Sequence, residues 1–527
     1  MDNGWEQLFQ IDHEISLLKH TQSLLGWDQE TYMPKKGIGE RAEQISFLES
    51  LIHERLTSPS TQEAFAKACE ENLAEPGQMS QDEQDHRSLS DRVKQKIASF
   101  SKNPLFQQAY LREWKRKIDR AIRIPPSLVA QFAYAASLGQ AKWAEAKEQS
   151  SFSLFQPYLE RLVNLAREVA DALGYEESPY DAFLEEYEPG MSSRRINSLF
   201  TQLKESLIPL VTELGELSKK IDASILRIPI PIKAQEELGI QILKAMNFPF
   251  DRSRLDVSVH PFTSTLGRDD VRITTRYNPS FFPTALFGII HEAGHALYEL
   301  GFDTTLQDTL LADGVSLGIH ESQSRFWENC IGRSKAFWTY WYPILVKQYA
   351  FGLQEVPFQT FIQALNIVQP SLIRVEADEV TYPLHIILRF QLELPLMENQ
   401  LTVSDLPDAF RQGMRHLLGV IPKNDAEGVL QDIHWSMGSF GYFPTYALGT
   451  LYAAQFYAVL KKQFPALDSE LSQGKLETPL QWLRSKVHAY GKIFAAEELC
   501  KRATGSSLDP SFFIQYLKEK YRSLWQS

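Results

Sequence analysis

Residues 283–301 read PTALFGIIHEAGHALYELG, and the five residues His291-Glu292-Ala293-Gly294-His295 inside them decide how the rest of the chain is read. In an α-helix, side chains four residues apart stand one above the other. His291 and His295 can therefore aim imidazole nitrogens at one point, with Glu292 projecting beside it. Two neutral imidazoles, a third ligand from elsewhere and one position left for water make a catalytic rather than a structural zinc site, and the adjacent carboxylate can take a proton from that water. Leu286, Ile289, Ile290, Ala293 and Leu297 follow helical spacing, Pro283 suits a first turn and Gly301 a stop. The spacing predicts a helix buried on one side. Chance would supply fewer than about 0.04 such motifs in a chain of this composition, so a metal is favoured over a pair of core histidines.

A third ligand has to come from outside this helix. Gly301 stands six residues after His295, where one common zinc pattern carries a further His, and Tyr298 replaces that pattern's glycine. Residues 313–329 read as the next helical stretch and contain His320-Glu321-Ser322-Gln323-Ser324-Arg325. Glu321 suits a helix packed against the first and completes a set of two His and one Glu. His320 points about 100° away from Glu321 around the helix, so the two do not easily share an ion. Arg325, one turn on, is placed to orient the Glu321 carboxylate. The alternative is an ordinary surface Glu–Arg pair at i,i+4.

The chain has 527 residues, more than an ordinary single domain, so two lobes or one large helical body with a cleft are expected. Hydrophobic content of 43% and charged content of 23% read as globular and soluble. A net charge of −12 argues against nucleic acid or an anionic membrane as partner. The basic run Lys115-Arg116-Lys117, with Arg120 and Arg123, reads as a solvated helix face. Cys69, Cys330 and Cys500 are odd in number and far apart, which fits free thiols in a reducing compartment better than a disulfide framework. The first 14 residues show no charged start followed by an apolar stretch, so no secretory signal is read there. Residues 445–460 are apolar but broken by Gln455 and shorter than the roughly 20 residues a membrane span needs, so a buried helix is expected.

Up to about Phe250 the pattern is helix after helix. Leu89, Val93, Ile97 and Phe100 fall at three- and four-residue steps, as do Leu159, Leu162, Leu165, Val169 and Leu173. Breaks are expected at Met33-Pro34 with Gly37, at Glu75-Pro76-Gly77, at Pro125-Pro126 and at Glu188-Pro189-Gly190. The period then switches to alternation at Leu255, Val257 and Val259 and again at Val271, Ile273, Thr275 and Tyr277. These two runs read as a small antiparallel hairpin turning near Gly267, whose free edge suits an extended peptide. Helices are expected from Gly301 onward. The expected organisation is one catalytic unit with a helical lobe at 1–250, a metal-site core at 251–450 and a helical C-terminal part at 451–527.

Six motifs in order carry a resemblance across nearly the whole chain. They are His260-Pro261-Phe262, Asp270-Val271-Arg272-Ile273-Thr274, the motif at His291 to His295, and His320-Glu321-Ser322-Gln323-Ser324-Arg325. Ile373-Arg374-Val375-Glu376-Ala377-Asp378 and Gly428-Val429-Leu430-Gln431-Asp432-Ile433-His434-Trp435 complete the set, and Trp27-Asp28-Gln29-Glu30-Thr31-Tyr32-Met33-Pro34 looks like the matching N-terminal segment. The sequence resembles the carboxypeptidase Taq family of metallocarboxypeptidases. The resemblance implies a mainly α, two-lobed gluzincin-type body with a deep groove and a small β hairpin beside the metal helix. It implies His291, His295 and Glu321 as ligands of Zn2+, with Co2+ able to substitute, and Glu292 as general acid/base. It also implies a cytoplasmic homodimer that removes C-terminal residues from peptides with broad specificity.

An enzyme that counts from the chain end needs a fixed cation for the substrate's α-carboxylate, and Arg374 and Arg272 are the candidates, Arg374 slightly preferred. Their alternatives are an i,i+4 pair with Asp378 and a cross-strand ion pair. Of His434, Tyr442 and Tyr446, in a Gly- and aromatic-rich segment suited to covering the groove, Tyr442 is the choice for a donor to the developing oxyanion and His434 for a substrate contact, with Tyr446 beside them. His260 and His385 are left as hydrogen-bonded structural histidines, with lining of the groove as the alternative. The rival functions are a dipeptidyl carboxypeptidase or oligoendopeptidase on the same scaffold and a non-catalytic peptide-binding protein.

Overall fold

The computed structural model describes residues 4–70, 93, 96–100 and 102–525. Leu89, the Glu75-Pro76-Gly77 break and the first three residues of the N-terminal reading lie outside them. The chain starts with the long helix Gly4–Thr31, which ends at the Met33-Pro34 break. Helices Pro104–Arg123, Pro126–Glu148, Phe152–Leu173 and Ser193–Ser218 follow, with boundaries where local chemistry puts them. Asn103 and Ser192 cap orphan N–H groups through their side chains, and Pro126 occupies a first turn where it forfeits no hydrogen bond. Helix Phe152–Leu173 buries Leu159, Leu162, Leu165, Val169 and Leu173, the stripe read from the spacing. The solvated-face reading of the basic run holds for Lys115, which pairs with Asp119 at 2.6 Å, and fails for Lys117, which lines a partly open cavity where burial pushes its pKa down.

Three strands precede the motif helix: β1 (Ser253–Val257), β2 (Thr263–Gly267) and β3 (Asp270–Thr275), in the order β1-β3-β2. Here the sequence reading needs correcting. The two alternating runs do lie side by side, but β1 and β3 are parallel, with Leu255 opposite Ile273. The antiparallel hairpin is β2–β3, turning after Gly267, which takes a φ of +159°. The residues between β1 and β3 return as β2, so β3 enters the sheet in the direction of β1. β2 escaped notice because Thr263, Ser264 and Thr265 are all half-buried and give no apolar alternation. Its outer side faces the first helix, where the Ser264 hydroxyl reaches the Ser23 carbonyl at 3.4 Å.

Helix Pro283–Glu299 packs across this sheet with Leu286, Ile289, Ile290, Ala293 and Leu297 buried. Helix Leu317–Arg325 lies against it, continued by a wider π-helical turn, Phe326–Gly332. Two glycines set that packing. A Cβ at Gly294 would lie 2.6 Å from the Gln323 carbonyl oxygen, and one at Gly449 would lie 2.6 Å from Cγ of Glu321. Bare backbone at both places lets Leu317–Arg325 sit between the motif helix and helix Pro444–Gln463. The latter is the buried apolar helix expected at 445–460, with the Gln455 amide bonded to Thr504 and Ser506. Among the described residues no helix is long and apolar enough to cross a membrane.

Candidate metal centre

The helical spacing places His291 and His295 on one face, with side chains 20% and 15% exposed at the edge of the core. Their Nε2 atoms stand 3.8 and 3.4 Å from Glu321 Oε2, and one donor atom from each of the three residues falls within 4.8 Å of the other two. A tetrahedral ion with bonds of about 2.0–2.1 Å needs donor separations of roughly 3.3 Å, so the three groups fit a small divalent cation. The donor set, two imidazoles and a carboxylate on a partly open face, leaves a position for solvent or substrate. Burial works against the Glu321 charge, but Arg325 and the two imidazoles outweigh it and hold the carboxyl well below the usual carboxylate range. Burial also lowers His295 to about 3, helped by neighbouring His320 and His291, so that ring is neutral and its lone pair is free. At His291 the same desolvation is overcome by Glu321 and Glu328, which raise its pKa.

Each ring is gripped from behind. His291 Nδ1 meets Glu328 Oε2 at 2.9 Å, and Glu328 is held by Arg325 at 3.4 Å and Arg333 at 3.3 Å. His295 Nδ1 meets His320 Nδ1 at 2.6 Å, and His320 Nε2 meets Glu299 Oε1 at 2.8 Å. Arg325 donates from Nε to Glu321 Oε1 at 2.7 Å, with both side chains largely buried. Glu292 is 6% exposed, and burial raises its pKa, partly offset by His291 and by the hydroxyl of Thr263, which donates to Glu292 Oε2 at 2.8 Å. β2 thus holds the carboxylate beside the ligand cluster.

Arg374 is 6% exposed and pairs with a different aspartate from the expected Asp378: its Nε donates to Asp432 at 2.8 Å and its Nη1 to the Tyr382 hydroxyl at 2.9 Å. Asp378 instead receives the N–H groups of Val380 and Thr381. Arg389 donates to the same Asp432 at 2.7 Å, so two guanidiniums share one carboxylate. That local excess of positive charge lies among the rings of Tyr382, Phe443 and Tyr446. Among the described residues Arg272 makes no cross-strand ion pair. It pairs with Asp270 on its own strand at 2.7 Å and lies 4.2 Å over the Trp27 ring. His434 Nε2 meets the Tyr446 hydroxyl at 3.2 Å, and burial lowers its pKa to about 4, so it is neutral. The Tyr442 ring packs at a tilt against both His434 and Tyr446, with centroids 5.3 Å apart in each case, and feels the Glu321 charge. His385 is fully buried against Arg389, whereas His260 is exposed and its structural reading does not hold.

Glu328, Glu299, Thr263, Tyr382 and Arg389 were not picked out from the sequence. Glu299 stands one turn after His295 on the motif helix, so helical spacing could have found it. The other four reach the site across chain separations that no periodicity reports, and Asp432, inside a quoted motif, carried a local signal.

A family model described as carboxypeptidase Taq (M32) metallopeptidase matches residues 7–521. The chain is 39% identical over 520 residues to carboxypeptidase 1 of Bacillus subtilis, covering 99% of this chain and 98% of that one. It is 40% identical over 532 residues to thermostable carboxypeptidase 1 of Thermus thermophilus, covering 99% of each. Among solved structures, a Pyrococcus furiosus carboxypeptidase described as Apo-Mg superposes with a TM-score of 0.89 at 38% identity over 99% of both chains. Metallocarboxypeptidase 1 of Trypanosoma cruzi does so at 0.89 and 31% identity, over 98% of this chain and 99% of that one.

Proposed function

The chain belongs to the carboxypeptidase Taq (M32) metallopeptidase family, and on the premise that it is a metallocarboxypeptidase we propose how its own residues carry out peptide hydrolysis. His291, His295 and Glu321 hold the divalent metal, proposed to be zinc with cobalt able to replace it. When bound, the ion polarises the scissile carbonyl and makes water more acidic. Glu292, steadied by Thr263, takes the proton from the attacking water and returns it to the leaving amine. Its upward-shifted pKa suits a group that must hold a proton between those two transfers. Tyr442 donates a hydrogen bond to the carbonyl oxygen as it gains charge. His434 and Tyr446 contact the substrate, and Arg374 meets its terminal carboxylate.

The convergence of both Nε2 atoms on Glu321 Oε2 is the observation that carries this reading. The two arginines sharing Asp432 favour Arg374 over Arg272 for the carboxylate, since Arg272 is already matched by its own Asp270. We further propose one catalytic unit with the 1–250, 251–450 and 451–527 parts in contact. Support comes from Glu188 bonding to Ser316 and Gly318, and from Arg195 bonding to Glu497. A cytoplasmic homodimer acting on peptides of broad sequence completes the proposal, and three free cysteines are in keeping with a reducing compartment.

The test is mass spectrometry of a peptide ladder incubated with the protein, with and without chelator. Stepwise loss of single C-terminal residues, stopped by chelator and by C-terminal amidation, is expected. Loss of two residues at a time or internal cleavage would reject it.

A further inference from the structure

Behind His295 three side chains form one hydrogen-bonded chain, and its proton order is set from the far end. We propose that His320, held by Glu299, is a positioning residue for the ligand His295, fixing which ring nitrogen of His295 faces the metal. The inference rests on the reading of His295 as a ligand.

A metal ligand needs a bare lone pair on the nitrogen that faces the ion, here His295 Nε2, 3.4 Å from Glu321 Oε2. A neutral His295 then carries its proton on Nδ1. That N–H points at His320 Nδ1, 2.6 Å away, and two ring nitrogens at this distance need one donor and one acceptor. His320 Nδ1 must accept, so its proton sits on Nε2 and requires an acceptor there. Glu299 supplies it: Oε1 lies 2.8 Å from His320 Nε2, and Oε2 takes the Thr265 hydroxyl at 3.1 Å. With His295 Nε2 kept bare for the metal, the order Glu299 ← His320 ← His295 satisfies both short contacts.

The two ligands are therefore backed differently. His291 leans directly on Glu328, while His295 leans on a carboxylate through a second ring. The chain positions explain the economy of this arrangement. Glu299 stands one turn beyond His295 on the same helix, and His320 is the neighbour of Glu321, so helix Leu317–Arg325 gives one residue to the metal and the next to the other ligand's ring. Tyr298 packs against His320 with centroids 5.4 Å apart, and Glu299 borders a polar cavity of about 180 Å³ that leaves room for substitutions.

The experiment measures Zn2+ affinity of the full-length apoprotein by competition with a chromophoric chelator, for wild type, Glu299→Leu, His320→Phe and Glu299→Gln. Loss of the group behind a ligating His weakens metal binding by about 10- to 100-fold, and that loss is expected in Glu299→Leu and His320→Phe. Glu299→Gln can still offer its amide oxygen to His320 and its amide nitrogen to Thr265, so it should retain most of the affinity. A merely structural role would not produce this rescue. Folded Glu299→Leu and His320→Phe proteins that bind Zn2+ like wild type would overturn the inference while leaving the metal site standing. Wild-type protein that binds no divalent ion would instead overturn the metal site itself. Should the variants not fold, nitrogen NMR of histidine-labelled, zinc-loaded wild type decides: a protonated Nδ1 on His295 supports the order, and a bare Nδ1 rejects it.

Discussion

Arg325 stands one helical turn after Glu321, donates from Nε to Glu321 Oε1 at 2.7 Å and reaches Glu328 Oε2 with Nη1 at 3.4 Å. One guanidinium thus fixes both the carboxylate that faces the two imidazoles and the carboxylate behind His291. The guanidinium itself lies against the Tyr382 ring at 4.7 Å, and Tyr382 in turn accepts from Arg374. Metal ligands and substrate-end residues are joined through these two side chains.

Arg325→Met should leave two buried carboxylates short of a partner. Removing one member of a buried ion pair typically costs about 3–5 kcal/mol of stability, and loss of ligand orientation weakens metal binding by about 10- to 100-fold. Thermal unfolding and chelator competition measure the two effects. A variant as stable as wild type with unchanged metal affinity would contradict this role.

Glu292→Gln keeps the shape and the Thr263 contact but cannot take a proton. Metal content should stay at the wild-type level while kcat falls by about 10²- to 10⁴-fold, the usual contribution of a positioned acid/base. Unimpaired turnover in a metal-replete variant would remove Glu292 from the mechanism.

Gly294→Ala places a methyl group where the Gln323 carbonyl now stands 2.6 Å from the ideal Cβ position. Backbone cannot yield as a flexible side chain does, so helix Leu317–Arg325 must move away and take Glu321 with it. A stability loss of about 1–3 kcal/mol is expected for such overpacking, with metal affinity lowered in parallel. A folded variant that binds metal normally would show that the helix contact does not set the ligand geometry.

Arg374→Met should raise KM for peptides with a free C-terminus. Truncating one side of a buried charge contact costs about 2–5 kcal/mol, so kcat/KM for these peptides should fall by roughly 30-fold or more. Arg272→Met is the control, expected to change kcat/KM little. The reverse outcome would transfer the carboxylate contact to Arg272.

Glu188 caps the start of helix Leu317–Arg325 through the Ser316 hydroxyl and the Gly318 N–H, each at 2.9 Å, and burial pushes its pKa up from 4.5 to about 7. A carboxyl whose folded pKa lies above its unfolded value favours the folded state while protonated. That contribution is complete below about pH 4.5 and is lost as pH rises through about 7, at roughly 1.4 kcal/mol per unit and about 3 kcal/mol in all. Wild-type stability relative to Glu188→Gln should therefore fall between pH 5 and pH 8 in urea unfolding. An equal difference at both pH values would show that Glu188 does not titrate in this window.

Periodicity and turn chemistry made much of this protein readable without coordinates. The three- and four-residue steps of helix Phe152–Leu173, the Pro283 start of the motif helix and the i,i+4 relation of His291 with His295 and of Glu321 with Arg325 are local facts of a helical backbone. The parallel pairing of β1 with β3 was misread because alternation reports that a strand exists but not which neighbour it takes or in which direction.

Sequence alone determined the ligand types, their spacing on each helix and the helical character of the body, because these depend on bonds and contacts within a few residues. Only tertiary structure decided that Glu321 meets the two imidazoles, that Glu328 and the His320–Glu299 pair stand behind them, and that Arg374 shares Asp432 with Arg389. Those meetings depend on how closely two helices approach, and here that approach is set by the absence of a side chain at Gly294 and Gly449, a packing fact that no repeat in the chain encodes.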